Sequence, residues 1–212
     1  MPLSKRLNEP TVTCTTCFKS FKLKSLRYLF ISKPYLCPTC YKQYEPKFIK
    51  HKINGIKAIT LFEYDDNMRS LIYKFKGCYD IELSPIFLLN YAWYYRFVFF
   101  NYYLVPIPSE QEDDERRGFN HVKEIYKHLH LKTLDILYKE GEYKQSSHHA
   151  KDRYKIQEHL NIKDTSKIKG KNILIVDDVV TTGSTLRNAI KLIKKGSPRK
   201  IKIMTIAMTI RH

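Results

Sequence analysis

Four of the five cysteines fall in two pairs, Cys14-x2-Cys17 and Cys37-x2-Cys40, nineteen residues apart. A Cys-x2-Cys turn brings two sulfurs to one side of the chain, and two such turns complete a tetrahedral four-thiolate site. Soft thiolates select zinc or an iron–sulfur centre over hard cations. The spacing points to structural Zn²⁺. A closed four-sulfur site has no vacant position for substrate, so the metal is expected to fold a small lobe and perform no chemistry. Paired disulfides are the alternative. Residues 1–14 lack the apolar stretch of a secretory signal, which argues instead for a reducing, cytoplasmic location. Cys78 stands apart and reads as an inert thiol.

A second constellation lies near the C-terminus. Ile173, Leu174, Ile175 and Val176 form an apolar run that ends in two adjacent acids, Asp177 and Asp178. The run reads as a buried parallel strand, and the acids stand at its C-terminal end, where open α/β sheets place ligands. Thr181, Thr182, Gly183, Ser184 and Thr185 follow, then an apolar stripe of Leu186, Ala189, Ile190 and Ile193 that stops at Gly196. That stripe is a helix. Hydroxyls, a glycine and unpaired N–H groups at a helix start suit a phosphate. Carboxylates beside them could accept ribose hydroxyls, so the combination fits a sugar phosphate.

The third feature is charge. The chain carries 38 Lys/Arg against 21 Asp/Glu, a net +17, and twelve Lys/Arg against two acids fall in residues 1–57. Such a field favours polyanions: nucleic acid, phosphorylated metabolites or an acidic membrane surface. Between the cysteine pairs, Phe18, Lys19, Phe21, Lys22 and Lys24 interleave rings with ammonium groups. That pattern could stack bases while neutralising phosphates, and it fits equally a ribbon strand with one buried and one solvated face.

These groups need elements to hold them. A composition of 43% hydrophobic and 28% charged residues is globular and excludes disordered and fibrous folds. The expected architecture is α/β, with a basic lobe at 1–52 and a domain of mainly parallel strands at 53–212. Strands are expected near 57–62, 101–107, 173–177 and 201–207. Residues 83–109 are long enough to cross a bilayer but contain Arg96 near the centre and three prolines. A buried helix running into a buried strand is the better reading, with no membrane span. Nine aromatics among residues 91–103 read as core. A helix at 119–131 would bury Phe119, Val122, Ile125, Tyr126 and Leu129, leaving His128 and His130 solvated. The pair His148 and His149 reads as non-ligating, and residues 139–153 could be a mobile hood over the site.

The strand–acid–loop segment resembles the phosphoribosyl pyrophosphate (PRPP) signature of type I phosphoribosyltransferases. With the cysteine pairs, the whole of residues 14–207 resembles the ComF family of competence proteins. Further landmarks are Tyr64, Arg69, Ile72, Lys74, Phe75, Lys76 and Gly77; then Val105, Pro106, Ile107 and Pro108; then Arg117, Gly118, Phe119 and Asn120; then Gln145, Asp152 and Arg153. The resemblance implies a type I phosphoribosyltransferase-like fold with an N-terminal four-cysteine zinc-ribbon lobe. By resemblance, Asp177 and Asp178 are the catalytic, ribose-binding acids. Thr181, Thr182, Gly183, Ser184 and Thr185 bind the 5′-phosphate, and Arg117 and Gly118 belong to a pyrophosphate loop. Mg²⁺ arrives with PRPP. The implied role is assistance of natural DNA uptake in the cytoplasm, with single-stranded DNA and other competence proteins, such as an uptake helicase, as partners. The alternative is an active transferase moving ribose 5-phosphate to an unidentified nitrogen acceptor. One departure stands out: Glu110, Glu112, Asp113, Asp114 and Glu115 precede Arg117 where the family is basic or neutral. These acids are expected on a solvated approach to the site, because beside a pyrophosphate they would repel it.

Overall fold

The structure, a computed structural model, describes residues 11–22, 35–140 and 159–210. Lys24, Gln145, His148, His149, Asp152, Arg153 and nearly all of the expected hood lie outside the described residues. The chain divides into two units, 1–45 and 46–212.

In the first unit, strands β1 (Thr11–Thr13) and β2 (Ser20–Lys22) pair antiparallel. Their connection carries Cys14 and Cys17, with the Phe18 N–H donating to the Cys14 carbonyl at 2.9 Å. Helix α1 (Pro38–Gln43) begins at the second cysteine pair, with Cys37 as its N-cap and a proline in its first turn. The Thr15 N–H donates to the Tyr35 carbonyl at 2.9 Å and ties one turn to the other.

The second unit opens with a hairpin of β3 (Ile49–Ile53) and β4 (Ile56–Glu63). Its turn, Asn54–Gly55, has φ of 51° and 79°, the geometry that suits right-twisted strands. This pairing places residues 46–52, assigned from sequence to the lobe, with the larger unit. Helices α2 (Asp66–Gly77) and α3 (Ser84–Val98), strand β5 (Tyr102–Pro106) and helices α4 (Gln111–Arg117) and α5 (His121–Tyr126) follow. Strands β6 (Leu137–Glu140) and β7 (His159–Ile162) form a small antiparallel pair. Strand β8 (Asn172–Val180), helix α6 (Ser184–Lys195) and strand β9 (Lys200–Met208) complete the chain. The main sheet has the order β3-β4-β9-β8-β5, parallel except for the β3 edge.

Alternation along β8 builds the two layers. Ile173 and Ile175 pack with Leu186, Ala189, Ile190 and Ile193 of α6, while Leu174 and Val176 are buried on the other face. The four expected strands are present. However, β8 continues to Val180 because Val179 and Val180 still pair with Ala207 and Met208 of β9. The acids therefore sit inside the strand, two residues before its end.

Two other expectations need correction. The aromatic run is only partly core: Tyr95 and Phe99 are buried, but Trp93 is 75% and Phe97 77% exposed, with Tyr94 and Phe100 also exposed. Helix α3 is apolar around most of its circumference, so one face meets the sheet and a second is left over. The helix expected at 119–131 ends at Tyr126, and Lys127–Leu129 is a 3₁₀ turn closed by His130 at φ 51°. This tightening draws His128 half inside, where burial holds its imidazole pKa below the usual value. Residues 83–109 fold as α3 followed by β5, and among the described residues no helix is long and apolar enough to cross a membrane.

Candidate functional site

The four cysteine sulfurs of the first unit lie within 4.8 Å of one another. The Cys17 and Cys37 Sγ atoms are 3.7 Å apart, against about 3.8 Å for the edge of a tetrahedron with Zn–S near 2.3 Å. Burial pushes the Cys14 thiol up, but the amide groups of Cys37, Cys17 and Thr16 hydrogen-bond to it and bring it down to about 7. Cys40 is driven the other way by burial and by the three neighbouring sulfurs. Four sulfurs this close cannot all ionise without a cation between them, so the cluster could hold a zinc ion. Outside it, Phe18 is 75% exposed and Lys19 and Lys22 are exposed, whereas Phe21 is half-buried opposite Val12.

In the second unit, Asp177 and Asp178 line a cleft of about 220 Å³ together with Lys76, Arg117, His121, Lys139 and Thr185. Alternation on β8 sends the two carboxylates to different neighbours. The Lys76 ammonium of α2 donates to Asp178 Oδ2 at 2.7 Å, and His121 Nε2 of α5 stands 3.6 Å from the same oxygen. Asp177 Oδ1 accepts the Asp178 N–H at 2.9 Å. Burial works against ionisation of Asp178, but His121 and Lys76 hold its carboxyl well below the usual range. Burial and the Asp178 charge push Asp177 well above it. The dyad titrates as a unit and carries one firmly fixed negative charge. Beneath it the fully buried Tyr126 hydroxyl donates to the Asp177 and Met204 carbonyls, at 3.0 and 2.9 Å.

The hydroxyl loop sits at the start of α6. Thr181, Thr182, Ser184 and Thr185 are exposed, and the Thr182 carbonyl accepts from the Arg187 guanidinium at 2.8 Å. Gly183 is the N-cap at φ 70°, a conformation that costs a side chain about 1–2 kcal/mol. It opens a twelve-residue helix beside the cleft, whose first amide, Ser184 N–H, donates to Thr182 Oγ1 at 3.4 Å.

On the opposite wall, Arg117 is nearly buried and pairs with Asp113 at 3.1 Å and Asp114 at 2.9 Å. Gly118 follows in the left-handed C-cap of α4. Asp114 also accepts from Ser109 and from Asn120, each at 2.6 Å. These two acids thus serve as fixed counter-charges for an arginine, while Glu112 and Glu115 are exposed. Arg117 also lies 3.1 Å from His121 Nδ1. A guanidinium only donates, so Nδ1 accepts and the imidazole proton sits on Nε2, facing Asp178.

In the sequence Lys76 stands out only as part of a family landmark, and nothing there ties His121 or Tyr126 to the acids. Their partners are 102, 57 and 51 residues away in the chain. By contrast, Asp113 and Asp114 precede Arg117 by four and three residues, a helical spacing that signals ion pairing.

The phosphoribosyl transferase domain family matches residues 115–210. The competence protein ComFC of Bacillus subtilis is 29% identical over 150 residues, covering 69% of this chain and 62% of that protein. ComFC of Streptococcus pneumoniae is 27% identical over 155 residues, with 72% and 68% covered. Hypoxanthine-guanine phosphoribosyltransferase of Bos taurus is 40% identical over 45 residues, 21% of each chain. Among solved structures, the purine phosphoribosyltransferase of Pyrococcus horikoshii Ot3 matches with a TM-score of 0.35 and 22% identity, over 61% of this chain and 73% of that one. The chain is homologous to the ComFC competence proteins, a phosphoribosyltransferase-type domain preceded by a four-cysteine cluster.

Proposed function

We propose that this chain assists natural DNA uptake in the cytoplasm, binding single-stranded DNA through its basic lobe and PRPP in the cleft of its larger unit. The observation that carries the PRPP reading is the placement of the Asp177–Asp178 dyad beside the N-terminus of α6. In this reading the acids bond the ribose 2′- and 3′-hydroxyls, and Thr181, Thr182, Gly183, Ser184 and Thr185 hold the 5′-phosphate. Arg117 and Gly118 border the pyrophosphate. Mg²⁺ accompanies the ligand, bound by pyrophosphate and ribose oxygens. Zinc at Cys14, Cys17, Cys37 and Cys40 keeps the lobe folded. Partners would be other competence proteins, such as an uptake helicase.

Mg²⁺–PRPP should raise the melting temperature of the full chain, since a ligand of the native state stabilises it by mass action. An unchanged melt at saturating PRPP sinks the ligand reading. For DNA, three to five phosphate contacts by the lobe give a slope of about −2 to −3.5 in log K against log salt. Replacing Lys19, Lys22 and Lys24 by Ala should flatten it by about 2, and an unaltered slope removes the lobe from the interface. Loss of Phe18 or Phe21 should weaken binding by about 1–3 kcal/mol where either ring stacks a base.

A second reading, active transfer of ribose 5-phosphate to a nitrogen acceptor, is favoured by the local identity with hypoxanthine-guanine phosphoribosyltransferase. Pyrophosphate release from Mg²⁺–PRPP, screened across nucleobases, amines and DNA, decides it.

A further inference from the structure

The leftover face of α3 does not point into empty solvent alone. It borders a groove of about 700 Å³ in the second unit, with Phe48, Tyr91, Trp93 and Tyr94 along its walls. Three lysines, Lys50, Lys57 and Lys202, also line it, and among the described residues no carboxylate does. The volume lies within the roughly 300–1,000 Å³ of small-molecule sites, room for nucleotides rather than a lone ion.

The lysines are arranged across strands. Lys52 of β3 stands directly opposite Lys57 of β4. Lys57 and Lys202 immediately precede the paired residues Ala58 and Ile203 of β4 and β9. Lys52, Lys57 and Lys202 thus form one row over three neighbouring strands, on one face of the sheet. Like charges directly opposite destabilise a sheet, so a row of three without an acid is a place where an anion is worth more than usual. The Lys202 ammonium lies 5.4 Å from the Phe99 ring and 5.5 Å from the Tyr102 ring, which shows cations and π-faces already sharing this surface.

We propose that this groove binds single-stranded nucleic acid, with bases against Trp93 and Tyr94 and phosphates along Lys50, Lys57 and Lys202. Rings beside a positively charged track are what a sequence-tolerant single-strand site requires. The other occupants fit less well. A flat bilayer would meet the protruding rings but not lysines set on the floor of a groove. A second copy would bring its own net charge of +17 against the same cations. An acidic peptide would satisfy the lysines and leave exposed rings without flat partners. The inference rests on the DNA reading proposed above and adds a contact surface in the larger unit, independent of the lobe.

Trp93 is the only tryptophan in the chain, so its emission reports from the groove and from nowhere else. The full chain is titrated with oligodeoxythymidylate while Trp93 emission and the anisotropy of a labelled oligonucleotide are followed. Emission should quench with the same midpoint as the anisotropy, and should still quench when Lys19, Lys22 and Lys24 are replaced by Ala. Trp93→Ala should weaken binding about 5- to 150-fold, the loss of one base stack. Its exposed side chain leaves the core intact. Lys57→Ala with Lys202→Ala should flatten the salt slope by about 1.4. Oligonucleotide binding with silent Trp93 and normal groove variants overturns this inference and leaves the lobe reading standing, whereas no binding at all overturns both. Quenching by anionic phospholipid vesicles or acidic peptide but not by the oligonucleotide, or emission that changes with protein concentration alone, also overturns it.

Discussion

Asp177 and Asp178 are adjacent, both acidic and both in the same cleft, yet their replacement by Asn should have opposite effects on stability. Asp178 is 6% exposed and holds Lys76 at 2.7 Å with His121 nearby. Removing one partner of a buried ion pair costs about 3–5 kcal/mol. Lys76 retains 32% side-chain exposure, and the Asn oxygen still accepts its hydrogen bond, so about 1–3 kcal/mol is the expected loss. At about 2–4 °C per kcal/mol for a domain of this size, Asp178→Asn should lower Tm by roughly 2–12 °C. The folded pKa of Asp178 lies below its unfolded value, so this stabilisation is present above the unfolded value and disappears only as pH falls through the folded one. Asp177 has its folded pKa raised by burial and by the Asp178 charge. Its ionisation therefore opposes folding, increasingly as pH climbs from the unfolded value towards the folded one. Asp177→Asn should leave Tm unchanged or raise it, with the advantage over wild type growing as pH rises. Calorimetric melts of ligand-free protein between pH 5 and pH 8 measure both. Equal destabilisation by the two variants, or a larger loss from Asp177→Asn, would refute the division of charge within the dyad.

Three further outcomes are expected. Cys37→Ser should lose one zinc per chain by elemental analysis and loosen the first unit while the second still melts cooperatively; full zinc retention rejects the ligand assignment. Gly183→Ala forces a side chain to φ 70°, with its Cβ 3.3 Å from the Arg187 guanidinium. It should cost about 1–2 kcal/mol and weaken PRPP binding, and a variant with wild-type Tm and affinity would show that the left-handed turn is not needed. Tyr126→Phe removes a buried donor shared by two carbonyls and should cost about 1–3 kcal/mol in denaturant melts; no loss would mean those carbonyls have other partners.

What could be read from sequence was local. The cysteine cluster follows from two turns of four residues each, and the β8–loop–α6 segment carries its strand, acids and helix start within about twenty residues. The partners that set the dyad's charge are remote: Lys76 and His121 reach Asp178 only because α2 and α5 pack on one face of the sheet. No periodicity encodes that meeting. Of the acids before Arg117, Glu110, Glu112 and Glu115 are exposed as expected, whereas Asp113 and Asp114 turn to the arginine, a pairing their helical spacing already signals. The aromatic run is only partly core for a different reason. Trp93 and Phe97 stand four apart on the exposed side of α3, and Ala92 and Tyr95 three apart on its buried side. Two stripes on one helix mean two faces, and a sheet can cover only one.

The central claim is that the acid dyad and the α6 start form one PRPP site. Isothermal titration of Mg²⁺–PRPP into the full chain, and into a chain carrying Asp177→Asn with Asp178→Asn, tests it most directly. One binding event per wild-type chain is expected, absent from the double variant even though that variant still unfolds cooperatively. The same affinity in both proteins would contradict the claim and place the sugar phosphate, and with it the phosphoribosyl reading, somewhere other than β8.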